Sequence, residues 1–501
     1  MVNKVILMKK FITLATVILV LFSSVVSAFA LKPDSRMYDN YTYSNDGTPL
    51  SSPASYIATK FIDNASFNLP QFPELHDVFV SPKMGIFVTD RANNCIIILD
   101  EELNIIKILD TFFEENTEYK LQNPEGVFVT ESNEIYIADT GNSRILSVDF
   151  DGSIKKVIND PNIVVLQEKV TFYPSKIVVD QSERIYVVSK NINRGIVELD
   201  SDGNFNGFLG APRVTPNLVE YLWKRISTRE QLARMETYVP TEYNNVAIDR
   251  SGFIYATIST LDPIAFTNSI LAKDKSGNIT PIKRLNFTGI DVLSRHGEYA
   301  PVGDIIKDIS ELPSAIVDVA LNENGGYSLL DARRSRIFTY DMDGNLLYIF
   351  GGKGNQFGKI QDPSSLDYSG SNIVVTDRSQ GRVTMFKITQ YGQLIDDAVM
   401  LNYIGKYGKS AQKWEEALAL NSNLYVAYTG IGKNYFREGK YLEAMNYLKI
   451  ANEKEYYSRA FKLHRKEVLS GMFNIIGIFT ITLIIGIFTL IYRSKRKLKK
   501  E

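Results

Sequence analysis

Between Asp77 and Gly392 the chain runs through one arrangement six times: an apolar run, a polar break, a second apolar run, a polar turn and a third run, followed in all but the last copy by a tight turn and a fourth run. The copies read GIFVTDRANNCIIILDEELNI from Gly85, EIYIADTGNSRILSVDFDGSI from Glu134, RIYVVSKNINRGIVELDSDGNF from Arg184, FIYATIST followed by SILAKDKSGNI from Phe253, YSLLDARRSRIFTYDMDGNLL from Tyr327, and NIVVTDRSQGRVTMFKITQYG from Asn372. Each follows a short apolar strand: DVFV at Asp77, GVFV at Gly126, KIVV at Lys176, NVAI at Asn245, IVDVAL at Ile316 and SSLDY at Ser364. Short β-branched and aromatic runs between turn residues predict strands. Asp151-Gly152, Asp202-Gly203 and Asp343-Gly344 stand where a tight hairpin needs positive φ. Four antiparallel strands per unit cannot bury both faces alone. Packing the units around an axis buries both, so the chain is expected to be mainly β, a six-bladed β-propeller over residues 73–390. The last copy offers only three strands. The segment SYIATKFI from Ser55, within the N-terminal stretch 31–72, is expected to supply the fourth and so join the ends of the ring.

From Gln393 the period turns helical. Ala398 matches Gly432, Gly405 matches Gly439, Tyr407 matches Tyr441, Trp414 matches Leu448 and Ala417 matches Ala451, each pair 34 residues apart. This predicts two helical hairpins over 391–470, with a further helix near Tyr457–Ser470. Residues 473–492 then carry no charge, enough helix to rise about 30 Å and cross a bilayer. Six basic residues from Arg493 to Lys500 follow in the tail 493–501, which places that end inside the cell. At the other end, Lys9 and Lys10, an apolar run from Phe11 and Ala28-Phe29-Ala30 form a secretory signal peptide over 1–30. The two ends agree on a single-pass plasma-membrane protein with most of the chain outside.

The polar turn of the second copy holds Asp139, Asn142 and Arg144. An acid recurs at its position as Asp90, Asp331 and Asp377, with Arg336 and Arg382 on the following strands. A catalytic acid is needed once, whereas a turn residue is needed in each blade. Recurrence therefore points to structure: the carboxylate accepts backbone N–H groups and can pair with the Arg. The pattern Asp139, Asn142, Arg144, Ile145 resembles the NHL repeat, matched in part by Asp331/Arg336/Ile337 and Asp377/Arg382/Val383. The copy at Ser189–Ile196 has lost the Asp, and the copy at Thr257 has lost nearly all of the pattern. The 34-residue helical unit resembles the tetratricopeptide repeat, with Tyr428, Ile431, Gly432, Tyr435, Ala444 and Ala451 at its characteristic places. The first resemblance implies a propeller, and the second implies a surface for a protein partner.

Charge changes this picture by exclusion. Lys plus Arg number 56 and Asp plus Glu 57, so no nucleic-acid partner is expected. A single cysteine, Cys95, rules out an intrachain disulfide. Three histidines, His76, His296 and His464, are too scattered for a histidine-rich zinc centre, and no nucleophile elbow or phosphate loop is present. No cofactor is expected, although abundant Asp and Asn leave room for Ca²⁺ held by carboxylates and carbonyls. Binding is expected on long loops over a rigid scaffold. These are the helical insertion 211–243, with Trp223, and the loop 285–313, with Arg295, His296 and Tyr299. Both lie on the face that carries the second-to-third strand turns. On the helical repeats, Lys433 and Arg437 are the candidates for a protein partner. The expected function is a cell-surface binding or scaffold protein for a glycan or protein ligand, without enzymatic activity. The alternatives are a metal-dependent ecto-enzyme of the lactonase or lyase type and an accessory subunit of a membrane transport or secretion complex.

Overall fold

A computed structural model of the chain describes residues 38–161, 163, 170–210, 242–308 and 311–497. The stretch expected to be a signal peptide, the expected insertion with Trp223 and the last four residues lie outside the described residues. Among the described residues the strands form six radial antiparallel sheets, and a small hairpin pairs Thr111–Glu114 with Thr117–Lys120. The fold is a six-bladed β-propeller with a helical C-terminal part. The first strands, which surround the axis, are Leu75–Ser81, Gly126–Val129, Tyr173–Val179, Asn245–Ile248, Ile316–Leu321 and Pro363–Ser369. The blades' middle strands are buried on both faces by neighbouring blades. Cys95–Leu99 and Ile135–Asp139, for example, are buried at every position, which is why they read as continuous apolar runs rather than alternating ones.

Blade six takes its outer strand from the N-terminal side. Tyr56–Ile62 pairs antiparallel with Arg382–Ile388, from Ile388↔Tyr56 to Val383↔Ile62, with a one-residue register shift between Met385 and Phe386. Tyr56 stacks on Phe350 of blade five at 4.7 Å, so the closing strand is also held through its side chains. A second N-terminal element, the hairpin Tyr41–Tyr43 with Pro49–Ser51, lies against the outer strand of blade five. The hydroxyls of Tyr41 and Tyr43 both donate to buried Asp304, which also takes Arg334 Nε at 2.7 Å.

Blade four departs from the expected grammar. The sequence SILAKDKSGNI does not give a strand and a turn. Its first residues finish a helix, Pro263–Leu271, and the third strand comes later, at Ile282–Leu285. The cause is local: Asp262 accepts from Ala265 N at 2.7 Å as the N-cap, and Pro263 occupies the first turn. Phe266 and Ile270 then pack under Ala300, Val302 and Ile306 of the long loop.

The recurring acids tie corners. Asp139 accepts from Gln122 N at 2.7 Å, Asn142 Nδ2 at 2.8 Å and Arg144 Nε at 2.7 Å. Asp90, Asp331 and Asp377 likewise accept from the incoming loop, through Glu74 N, Ala315 N and Gln361 N. Each carboxylate therefore pins the loop entering its blade to the turn between the second and third strands. The Arg partner is not general. Arg336 lies over the Tyr41 ring at 4.7 Å and Arg382 over the Phe61 ring at 4.7 Å, because N-terminal strands cover those two blades and offer aromatic faces.

Two helical hairpins follow, Gln390–Tyr403 with Tyr407–Leu420 and Tyr425–Arg437 with Tyr441–Ile450. Gly405 and Gly439 both turn at φ 77°, a left-handed conformation that suits glycine. The hairpins share a core with the ring: Thr389 caps the first helix while its N–H donates to Ser55 O at 2.9 Å, and Tyr348 OH donates to Asp396 at 2.9 Å. A final helix, Lys454–Lys497, runs unbroken for 44 residues. Its start packs through buried Ala460 on Ala444 and Leu448. Among the described residues it is the helix long and apolar enough to cross a membrane.

Deleting Tyr41–Ile62 from the full-length chain removes the closing strand and three buried tyrosines, and is expected to lower the melting temperature by about 10 °C or more. Asp139→Ala leaves Gln122 N–H and Arg144 without their acceptor, for an expected loss of about 3–5 kcal/mol in denaturant unfolding; Asp139→Asn, which still accepts one bond, loses less.

Candidate ligand cavity on the propeller axis

The first strand of each blade pairs on one side only, so its other edge turns backbone N–H groups towards the axis. Those donors need partners. At three of the six junctions a side chain from the preceding blade supplies one. Asp77 of blade one accepts from Val127 N of blade two at 3.1 Å, and Asp318 of blade five accepts from Leu366 N of blade six at 2.8 Å. Two side chains of blade six reach blade one: Val78 N donates to Ser365 Oγ at 3.2 Å and Val80 N to Asp367 Oδ2 at 2.7 Å. These three junctions are stitched in one rotational direction.

Asp77, Gly126, Lys176, Asn245, Asp318 and Ser365 open the corresponding segments DVFV, GVFV, KIVV, NVAI, DVAL and SLDY, so they share one level of the axis. They join into a buried network. Lys176 Nζ pairs with Asp77, Ser365 Oγ donates to Asp77 at 3.0 Å and contacts Asp318, and Asn245 Nδ2 donates to Asp318. Gly126 is required here: a Cβ would fall 2.5 Å from Ser175 O of the next blade.

Two residues further along lie Phe79, Phe128, Val178, Ala247, Ala320 and Asp367. Blades one and two place phenylalanines at this level, their centroids 4.9 Å apart. Blades four and five place alanines. The ring is therefore full on one side and hollow on the other, and a cavity of about 810 Å³ results, with the Asp77–Lys176 level as its floor. Its mouth lies among the first-to-second strand turns, at Ser81–Gly85, Asp249–Ser251 and Asn322–Glu323, with Tyr403 of the first C-terminal helix on the rim. This is the face opposite to the one that sequence reasoning favours. Towards that other face, Glu125 (1 % exposed) takes Lys190 at 2.6 Å and Arg91 at 3.7 Å, with His76 at 4.0 Å. Burial lowers the His76 pKa well below the usual range.

Burial is also the main influence on the axial acids. It raises Asp318 to about 6, with Lys176 opposing and Asp77 adding to the effect. It raises Asp367 to about 7, against hydrogen bonds from Val80 and Tyr368 N–H groups. Asp367 alone interrupts an otherwise apolar level of the wall.

The residues singled out from the sequence are dispersed. His296 and Tyr299 line a second cavity, about 310 Å³, between blade five and the helices, together with Asn45, Tyr425 and Lys454. Arg295 turns inward to Asp291 at 2.7 Å. Lys433 sits over the Tyr456 ring at 4.8 Å and Arg437 over the Tyr407 ring at 3.7 Å, both within the helical part. Trp223 is outside the described residues. Sequence reasoning passed over Asp77, Lys176, Asn245, Asp318, Ser365 and Asp367. Their signal was a polar residue opening an inner strand, and an Asp inside SSLDY where the other copies are apolar. Among the described residues no group of three or more His, Cys, Asp or Glu is placed to hold a metal ion.

A sequence model of the NHL repeat matches residues 121–146, the stretch around Asp139 and Arg144. No curated protein matches the chain. Among solved structures the chain is similar to virginiamycin B lyase from Staphylococcus aureus, with 10 % identity, a TM-score of 0.40, and coverage of 66 % of this chain and 99 % of that one. It is also similar to a structural genomics protein of unknown function from Bacteroides thetaiotaomicron, with 11 % identity, a TM-score of 0.39, and coverage of 70 % and 76 %. No residue's role passes from them to this chain.

The axial acids carry a pH signature. Their pKa values in the folded chain, about 6 for Asp318 and about 7 for Asp367, lie above the ordinary value of about 3.9 for an unfolded Asp. The folded state then binds the extra protons between these limits, so their contribution to stability is full below about pH 4 and is lost as pH rises through 6–7. Melting of Asp367→Asn against the parent is expected to show a difference that moves in favour of the variant between pH 5 and pH 8. A difference independent of pH would contradict the assignment.

Proposed function

We propose that this chain is a cell-surface binding protein, anchored by its C-terminal apolar helix, that takes its ligand in the axial cavity of the propeller. The observation that carries this reading is the cavity itself. It has a polar floor, a partly aromatic wall and one open mouth, and its volume falls in the range of ligand sites. The mouth shares a face with the helical hairpins, since Tyr403 stands on its rim. Those hairpins, which resemble tetratricopeptide repeats in their 34-residue period, form the surface for a protein partner. Ligand and partner would then meet on one side of the ring. The apolar stretch and the basic tail after it support a span with the C-terminus inside.

Two arms on the full-length protein test this. Cys95 is 1 % exposed and burial raises its thiol pKa, so the parent should be silent to a membrane-impermeant maleimide on intact cells. Asp151→Cys is expected to label on intact cells and Lys500→Cys only after permeabilisation; the reverse pattern overturns the topology. In the second arm, Ala247→Trp fills the hollow side of the cavity. Ligands found on glycan and peptide arrays should lose about tenfold or more in binding to it, with the melt unchanged. Binding that survives Ala247→Trp overturns the axial site.

A further inference from the structure

The charges that line the cavity do not balance, and the imbalance has a sign. Its cations are already engaged. Lys176 pairs with Asp77, Arg284 with Asp249 at 2.8 Å and Arg250 with Glu323 at 2.7 Å, while Lys83 Nζ donates to Glu131 O at 3.1 Å. Asp318 and Asp367 have no cationic ion-pair partner among the described residues. Asp318 is 4 % exposed and takes its bonds from Asn245, Ser365 and backbone N–H groups. Asp367 differs. It accepts two backbone N–H groups, from Val80 at 2.7 Å and Tyr368 at 2.8 Å, and still keeps surface open to the cavity. A carboxylate has capacity for about four acceptor contacts, so two positions remain. Its bond to Val80 N sets it beside Phe79, whose ring contacts Phe128, and aromatic faces attract cations. Across the ring, Ala247 and Ala320 leave the space into which a ligand would fit.

We infer that the axial cavity takes a ligand bearing a protonated amine, with the ammonium group seated at Asp367 beside the Phe79 and Phe128 rings. The inference rests on the axial cavity being the ligand site and adds the charge class of what enters. An ammonium brings three donors and one positive charge. It would fill the two open acceptor positions of Asp367 and offset the excess acid, at a level of the wall that offers no other polar side chain. A neutral amide would donate there without neutralising, and an anion would meet the exposed side of one carboxyl group, Asp367, with a second, Asp318, buried close behind the wall. The same chemistry is offered by a lysine side chain and by an amino sugar.

The test uses detergent-solubilised full-length protein at pH 8, titrated calorimetrically with two probe pairs that differ in charge: lysine amide against Nε-acetyl-lysine amide with its α-amine capped in both, and glucosamine against N-acetylglucosamine. At least one amine should bind about tenfold or more tightly than its acetylated partner, and Asp367→Asn should abolish that preference. Which pair responds tells a lysine side chain from an amino sugar. Should Asp367→Asn fail to fold by its melt, Ala247→Lys replaces it, since it carries an ammonium into the cavity on its own stem and should displace the free amine. Equal binding of both members of each pair overturns the inference, as does an amine preference that survives Asp367→Asn or Ala247→Lys. If no amine binds but a neutral or acidic ligand does and is lost in Ala247→Trp, the charge class falls and the axial site stands. If nothing sensitive to Ala247→Trp binds, both fall.

Discussion

Pairing of Tyr56–Ile62 with Arg382–Ile388 is the contact on which the rest of the architecture depends. Without it blade six has three strands and the ring has a free edge. The paired residues are far apart in the chain, as Thr59 and Met385 at a separation of 326 show. The entropy of closing so long a loop grows only slowly with its length, so one seven-residue ladder backed by aromatic stacking can hold it. The same contact sets the start of the helical part. Thr389 leaves the closing ladder, bonds to Ala54 and Ser55 carbonyls and caps the first helix within three residues.

One chemical device recurs through the ring at two radii. At the turns between the second and third strands, carboxylates accept backbone N–H groups from loops entering each blade. At the axis, carboxylates and a serine accept N–H groups from the open edge of the next blade. In both places a short acid satisfies a donor that no strand can reach. The difference lies in what is left over. Asp139 is filled by a backbone N–H, an amide and a guanidinium, and is fully buried. Asp367 is filled by two backbone donors and faces a cavity. A structural habit of the fold thereby becomes a candidate binding group where the packing around it is incomplete.

The cavity and the helical hairpins are not independent features. They share the core that joins blades five and six to the helices through Tyr348, Phe350, Tyr391 and Ile395. Asp396 is buried within that joint and bonded to Tyr348, and burial raises it to about 7. The final helix continues without a break from the hairpins into its apolar stretch. With that stretch in a bilayer, as proposed, the mouth of the cavity and the membrane are linked through packed elements rather than a loose tether.

Local pattern carried most of the architecture: six units, their strand order, the turn acids, the matched glycines of the helical hairpins and the apolar terminal helix are all written in residue spacing. These properties rest on backbone preference and on burial, which neighbouring residues in the chain settle among themselves. Blade four departs from the repeat because the Asp262-Pro263 cap, a purely local signal, starts a helix where the other copies carry a strand. The site was a different matter. Asp77, Lys176, Asn245, Asp318 and Ser365 stand in five different blades, and no spacing along the chain says that they meet. Nor does the chain order say that Phe79 and Phe128 fill one side of a level that Ala247 and Ala320 leave hollow. Closing the ring decided both, because only then do residues at the same height on separate strands become neighbours, and only then can a void and an unmatched charge exist.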